Sequence, residues 1–196
     1  MDVEIGLKDK KIRDIGAIRH DGAVFHSSSK SELIRFLGDV DYVCGHNIVN
    51  HDAQYIWQDT PCDKILVDTL YMSPLLFAER PYHRLLKDDK LLTEQMNNPV
   101  NDCEKAKDLL MEEAEKWKSL SESRQVIFSS LLQGQKEFQG FLRFVGAQPS
   151  GQELERLIRD TYKGKICANA DFGTMISESP CELAYALALT DTTDYR

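Results

Sequence analysis

The sequence predicts an α/β domain over residues 1–117 followed by an all-α region over residues 118–196, and three observations carry that expectation. Short apolar runs rich in Ile and Val, some alternating and some continuous, recur with helical segments between them as far as about residue 117. Beyond that point the apolar residues recur only at helical spacing. The change falls at KWKSLSES, residues 116–123, a polar stretch between helices.

Taken in order, MDVEIG predicts a first, acidic strand. KIRDIGAIRH alternates apolar and polar residues through Ile12, Ile15 and Ile18, and GAVFHS follows across the turn at residues 20–22, which together predict a hairpin. Ser29 or Ser31 caps a short helix bearing Leu33, Ile34 and Leu37. DYVCGHN, residues 41–47, predicts a buried strand running into a loop, NHDAQYIWQ a helix, and KILVDTL, residues 64–70, another short strand. LYMSPLLF then predicts a helix broken near Pro74. Pro99, at a first helical position with Asn98 as cap, begins a long helix carrying Val100, Cys103, Leu109 and Leu110.

In the C-terminal region, residues 121–133, 136–145, 150–162 and 179–189 read as amphipathic or apolar helices. Two begin with Ser-x-x-Glu capping boxes, Ser150 to Glu153 and Ser179 to Glu182, the second with Pro180 at the first helical position.

With 196 residues, of which 42% are hydrophobic and 29% charged, the chain has the composition of a soluble globular protein. Its five cysteines show no C-x-x-C spacing and read as reduced thiols of a cytoplasmic protein. No apolar run reaches the roughly 20 residues of a membrane span, and residues 1–25 lack signal-peptide order. A formal net charge of −8 argues against a non-specific nucleic-acid clamp, so any nucleic-acid contact must be local or bridged by metal.

In an extended strand Asp2 and Glu4 share one face, about 7 Å apart. On those residues alone, a frayed and solvated N-terminus and a desolvated pair beside a cleft both stand open. Asp52 follows GHNIVN at the end of a buried strand, and Asp102 lies in the first turn of the long helix, where the helix dipole favours a carboxylate. Four carboxylates on a strand and two helix starts offer oxygen-only ligands, which hard cations such as Mg²⁺ and Mn²⁺ select.

The order and wording of these segments resemble the DnaQ-like (DEDD) 3′-to-5′ exonucleases, whose fold is related to ribonuclease H. Asp2-Val3-Glu4 resembles the family's first motif, D-x-E. GHNIVNHD, residues 45–52, is similar to its second, with Asp52 as the acidic residue, and NNPVNDCEKAKDLL, residues 97–110, to its third, with Asp102 as the final Asp. The resemblance spans residues 1–117 and implies a mixed ribonuclease H-like sheet flanked by helices. It also implies two Mg²⁺ or Mn²⁺ ions held by Asp2, Glu4, Asp52 and Asp102, with Asp2 bridging them. The backbone at Ile5 and Gly6, together with Asn47 and His46, is expected to contact the substrate, a single-stranded DNA 3′ end.

The whole chain further resembles the region ahead of the motor in some bacterial RecQ-like ATP-dependent DNA helicases, which makes a helicase motor in the same polypeptide an expected partner. The chain itself has no G-x-x-x-x-G-K-[ST] loop to hydrolyse ATP.

Two departures bear on this reading. Only Met1 precedes Asp2, where the family has several apolar strand residues, so the first strand is expected to be cut short at its start. Position 97 is Asn where the family places a His or Tyr general base, and a neutral amide cannot accept a proton. His83, with Asp88 five residues on, is the alternative base, and His51 reads as a packed residue. The expectation is therefore a metal-dependent 3′-to-5′ exonuclease weakened at Asn97. The alternatives are a DNA-binding or protein-docking module that keeps the fold without the chemistry, and a purely structural interaction domain. The DFG tripeptide at residues 171–173 lacks every companion motif of a kinase.

Overall fold

A computed structural model describes residues 1–85, 98–150 and 153–192. These divide into two compact units, Met1–Leu70 with Arg84–Met111 and Tyr71–His83 with Glu112–Arg196.

The first unit is α/β. Strands β1 (Asp2–Ile5), β2 (Ile12–Ile18) and β3 (Val24–Ser27) form an antiparallel sheet in the order β1-β2-β3, and β4 (Tyr42–Gly45) pairs in parallel with β5 (Ile65–Asp68). The ammonium of Met1 donates to the carbonyl of Cys44 at 2.7 Å, so the start of β1 lies against β4. The register sets Val3 opposite Ile15, and both side chains are buried in the core with Leu33, Leu37, Val43, Ile48 and Ile56. The same pleat sends Asp2, Glu4 and Asp14 to the other face. Helix α1 (Lys30–Leu37) is capped by Ser29, whose side chain accepts from the Glu32 amide, and it buries Leu33 and Leu37. Helix α2 (Asp52–Ile56) follows β4, and α3 (Thr69–Leu76) follows β5 directly, its residues from Tyr71 on belonging to the second unit.

Helix α4 spans Pro99–Ser119 as one uninterrupted element. Asn98 caps it as expected, its Oδ1 accepting from the Val100 amide at 3.0 Å. The boundary between the units falls inside this helix, between Met111 and Glu112, whereas the sequence reading puts it at residues 117 and 118. A continuous helix can serve two cores. Its first turns contact the first unit, the Cys103 thiol donating to the Gly16 carbonyl at 3.1 Å, and Trp117 packs edge-on against Phe141 in the second.

Among the described residues the regular elements of the second unit are all helices: besides the parts of α3 and α4 that it holds, α5 (Glu122–Leu132), α6 (Lys136–Phe144), α7 (Leu154–Thr161), α8 (Phe172–Glu178) and α9 (Pro180–Asp191). Phe128, Leu132, Phe138, Phe141, Ile158, Tyr162 and Leu187 are buried. Asp191 on α9 gathers Arg124 at 2.6 Å and Lys165 at 3.3 Å.

Four details differ from the sequence reading. Helix α3 runs through Pro74 to Leu76 rather than breaking there, because the proline falls in the last turn and forfeits a single backbone bond. Helix α7 starts at Leu154 with Glu153 as its N-cap, while the Ser150 amide donates instead to the Ser130 hydroxyl at 3.1 Å. Ser179 does precede α9, with Pro180 at the first position, but its hydroxyl makes no capping bond. Helix α8 is additional, and Asp171 of the DFG tripeptide is its cap, accepting from the Thr174 amide and hydroxyl at 3.1 and 2.8 Å. No helix among the described residues is long and apolar enough to cross a membrane. All five cysteines are free thiols.

Candidate metal centre

Alternation in β1 places Asp2 and Glu4 on one face, and the first turn of α4 brings Asp102 over that face. Each of the three offers a carboxylate oxygen, and these oxygens lie within 4.8 Å of one another. Ligands around one Mg²⁺ at about 2.1 Å stand at most about 4.2 Å apart, so a small side-chain adjustment closes the triad on a cation. The donor set is all oxygen, which suits Mg²⁺ or Mn²⁺ rather than a soft metal. Burial of Asp2, with Asp52, Asp102 and Glu4 as neighbouring negative charges, pushes its carboxyl up from 3.8 to about 7 against the opposing pull of the Met1 ammonium. A divalent ion would reverse that cost.

Asp52 belongs to the same neighbourhood but is held differently. Only 2% exposed at the start of α2, it accepts the Val3 amide on Oδ1 at 2.8 Å. That amide faces away from β2, so Asp52 satisfies the free edge of β1 and fixes the strand carrying Asp2 and Glu4. His51 stands beside it, Nδ1 at 3.7 Å from Oδ1, and the Asp52 carboxylate raises its pKa against the opposing effect of burial, with Asp2 and Glu4 adding to the rise. The rings of His51 and Tyr55 lie 5.5 Å apart and, with Asp2, Glu4, Gly6, Leu7 and Lys10, line an open cleft of about 270 Å³. The side chain of Leu7 is 91% exposed. A larger cavity, about 430 Å³, is lined by residues 17–20 and 39–44 together with Met1, Cys103 and Lys107; none of the triad residues lines it.

Asp68 is the residue that sequence reasoning missed. Fully buried at the end of β5, it accepts the amides of Asn47 and Leu70 on Oδ1 at 2.9 and 3.0 Å and that of Val49 on Oδ2 at 3.0 Å. It thereby shapes the turn that leads β4 into α2 and delivers Asp52. Burial raises its pKa to about 6 even though the three amides oppose the shift. A charged residue closing an apolar strand, as in ILVD, is the signal that could have marked it.

The expected substrate contacts are placed as follows. The Gly6 amide donates to the Lys11 carbonyl at 2.8 Å, and its own carbonyl accepts from Lys10 at 2.9 Å, so both groups serve the β1–β2 turn. Ile5 pairs with Ile12. Asn47 sits in the left-handed region at φ 68°, its amide on Asp68. His46 bonds the Thr69 hydroxyl at 2.9 Å through Nδ1, and burial lowers its pKa to about 4, so it is neutral at pH 7. His83 belongs to the second unit, where Nδ1 contacts the Ser73 hydroxyl at 3.0 Å. Asn97 lies outside the described residues. Comparison of the chain with protein-family models, with curated proteins and with solved structures gave no match, so the site's geometry and the motif resemblance are what bear on function.

Proposed function

We propose that the first unit is a divalent-metal-dependent nuclease that removes nucleotides from DNA 3′ ends. The observation that carries the metal part of this reading is the convergence of Asp2, Glu4 and Asp102 to within 4.8 Å, beside the buried Asp52. The choice of a 3′ end rests on the motif order shared with DnaQ-like exonucleases. The strand order and the Met1-to-Cys44 bond support a ribonuclease H-like arrangement.

Asp2, Glu4 and Asp102 would hold the cation, and Asp52 would keep β1 in place while adding negative charge behind it. Divalent ions bound there supply charge neutralisation at the scissile phosphate and a nucleophile at neutral pH. The chain's excess of negative charge would otherwise repel that phosphate. His51 and Tyr55 give the cleft an aromatic wall on which a terminal base can stack, an interaction worth about 1–3 kcal/mol per base. The helical second unit is read as the connection to a RecQ-like helicase motor, and the free thiols suit a reducing, cytoplasmic setting.

The test is digestion of end-labelled single strands with Mn²⁺, Mg²⁺ or EDTA. A 5′-labelled strand should shorten as a ladder, a 3′-labelled strand should release mononucleotide at once, and EDTA should stop both. Cleavage of a closed circle would overturn the exonuclease assignment. Mn²⁺ binding with no cleavage of any strand would leave a DNA-binding module.

A further inference from the structure

We infer that Gly16 is a positioning residue of the metal centre: its lack of a side chain lets the first turn of α4 rest on β2, and that seat holds Asp102 against Asp2 and Glu4. The inference rests on the metal reading of the triad. Gly16 is the cross-strand partner of Asp2 on one side and of His26 on the other, so it occupies the row of the sheet that begins with Asp2. A Cβ built there would stand 2.5 Å from the Pro99 carbonyl carbon, 2.6 Å from the Val100 nitrogen and 2.7 Å from the Pro99 oxygen. All three are backbone atoms, which cannot swing aside as a side-chain tip would. Carbon atoms in contact prefer about 3.5–4.0 Å, so a methyl group must lift the helix start by about 1 Å.

Asp102 is three residues past Pro99, on the same face one turn along. Lifting that turn withdraws its carboxylate from the other two. The Cys103 thiol, donating to the Gly16 carbonyl at 3.1 Å, fastens the same seat from the helix side. Gly16 has φ outside the left-handed region, so its identity answers to the close approach of α4 and not to backbone strain.

The experiment measures Mn²⁺ affinity of the full chain by calorimetry, beside melting in EDTA. Gly16→Ala is expected to weaken Mn²⁺ binding by about tenfold or more, the loss typical when support for a metal ligand is removed. Asp102→Glu alone should also weaken binding, yet added to Gly16→Ala it should restore part of the loss, because one more methylene spans the lifted helix. A general loss of stability would show no such reversal. Affinity unchanged in Gly16→Ala, or no recovery on adding Asp102→Glu, overturns the inference while leaving the metal site standing. If Gly16→Ala does not melt cooperatively, Cys103→Val disturbs the other side of the seat: several-fold weaker binding with recovery by Asp102→Glu supports the inference, and unchanged affinity overturns it. A parent chain that binds no Mn²⁺ overturns both this inference and the proposed function.

Discussion

Replacing Asp2 by Asn should stabilise the metal-free protein while abolishing its response to metal. The carboxyl of Asp2 titrates near 7 in the folded chain against 3.8 for the free group, chiefly because burial and three neighbouring carboxylates disfavour its charge. A folded-state pKa above the unfolded value means the folded chain holds the proton more tightly. The stability this confers is present below about pH 4 and is lost as pH rises through about 7. A shift of about three pH units at about 1.4 kcal/mol each makes the titration of Asp2 cost about 4 kcal/mol of stability at pH 8, where both states are ionised, and about 2 kcal/mol at pH 5, where only the unfolded chain has released the proton. Asn keeps the shape without the charge. Melting followed by fluorescence in EDTA should therefore rise for Asp2→Asn by about 8–16 °C at pH 8, given roughly 2–4 °C per kcal/mol for a chain of this size, with a smaller gap at pH 5. In the parent, Mn²⁺ at a hundred times its dissociation constant should add about 2.7 kcal/mol, and Asp2→Asn should lose that gain. A variant that melts below the parent at pH 8 in EDTA, or that keeps the Mn²⁺ increment, refutes the reasoning.

Three further outcomes follow from the geometry and a fourth from the motif resemblance. Asp52→Ala leaves the Val3 amide without its acceptor and should cost about 1–3 kcal/mol in denaturant unfolding, while Asp52→Asn, which can still accept that bond, should cost less. Asp68→Ala strips three amides of their acceptor and should both lower the melting temperature and weaken Mn²⁺ binding, since the turn it shapes leads to Asp52. Asp171→Ala removes the cap of α8 and should lower the melting temperature with Mn²⁺ affinity unchanged, which separates the DFG tripeptide from the metal chemistry. If the first unit is the proposed nuclease, Asn97→His should raise its rate by about tenfold or more, a fraction of what a placed base contributes, and bring in a pH dependence near 6.5.

Local rules carried the parts of this protein that local physics controls. The alternation of Asp2, Val3 and Glu4 by itself determined that two carboxylates share a face of any strand formed there, because the strand period is two; that Val3 points into a core was decided by packing. Asn98 followed by Pro99 determined where the long helix starts, and so put Asp102 in its first turn, because a cap and a proline act within three residues. Where two local options competed, tertiary contacts chose. Ser150 offered a capping box, but its amide found the Ser130 hydroxyl and α7 began later; Asp171, in a tripeptide that carried no structural expectation, caps α8 by accepting from the Thr174 amide. The motif resemblance grouped four carboxylates, but how they are brought together was beyond sequence reading. Asp2, Glu4 and Asp102 meet because α4 settles on β2, whereas Asp52 spends one oxygen on the Val3 amide, 49 residues away, and Asp68 organises its turn across 21 residues of chain to Asn47. Such contacts depend on how separate elements pack, and the free energy of that packing is shared among many distant residues, so no short stretch of sequence encodes it.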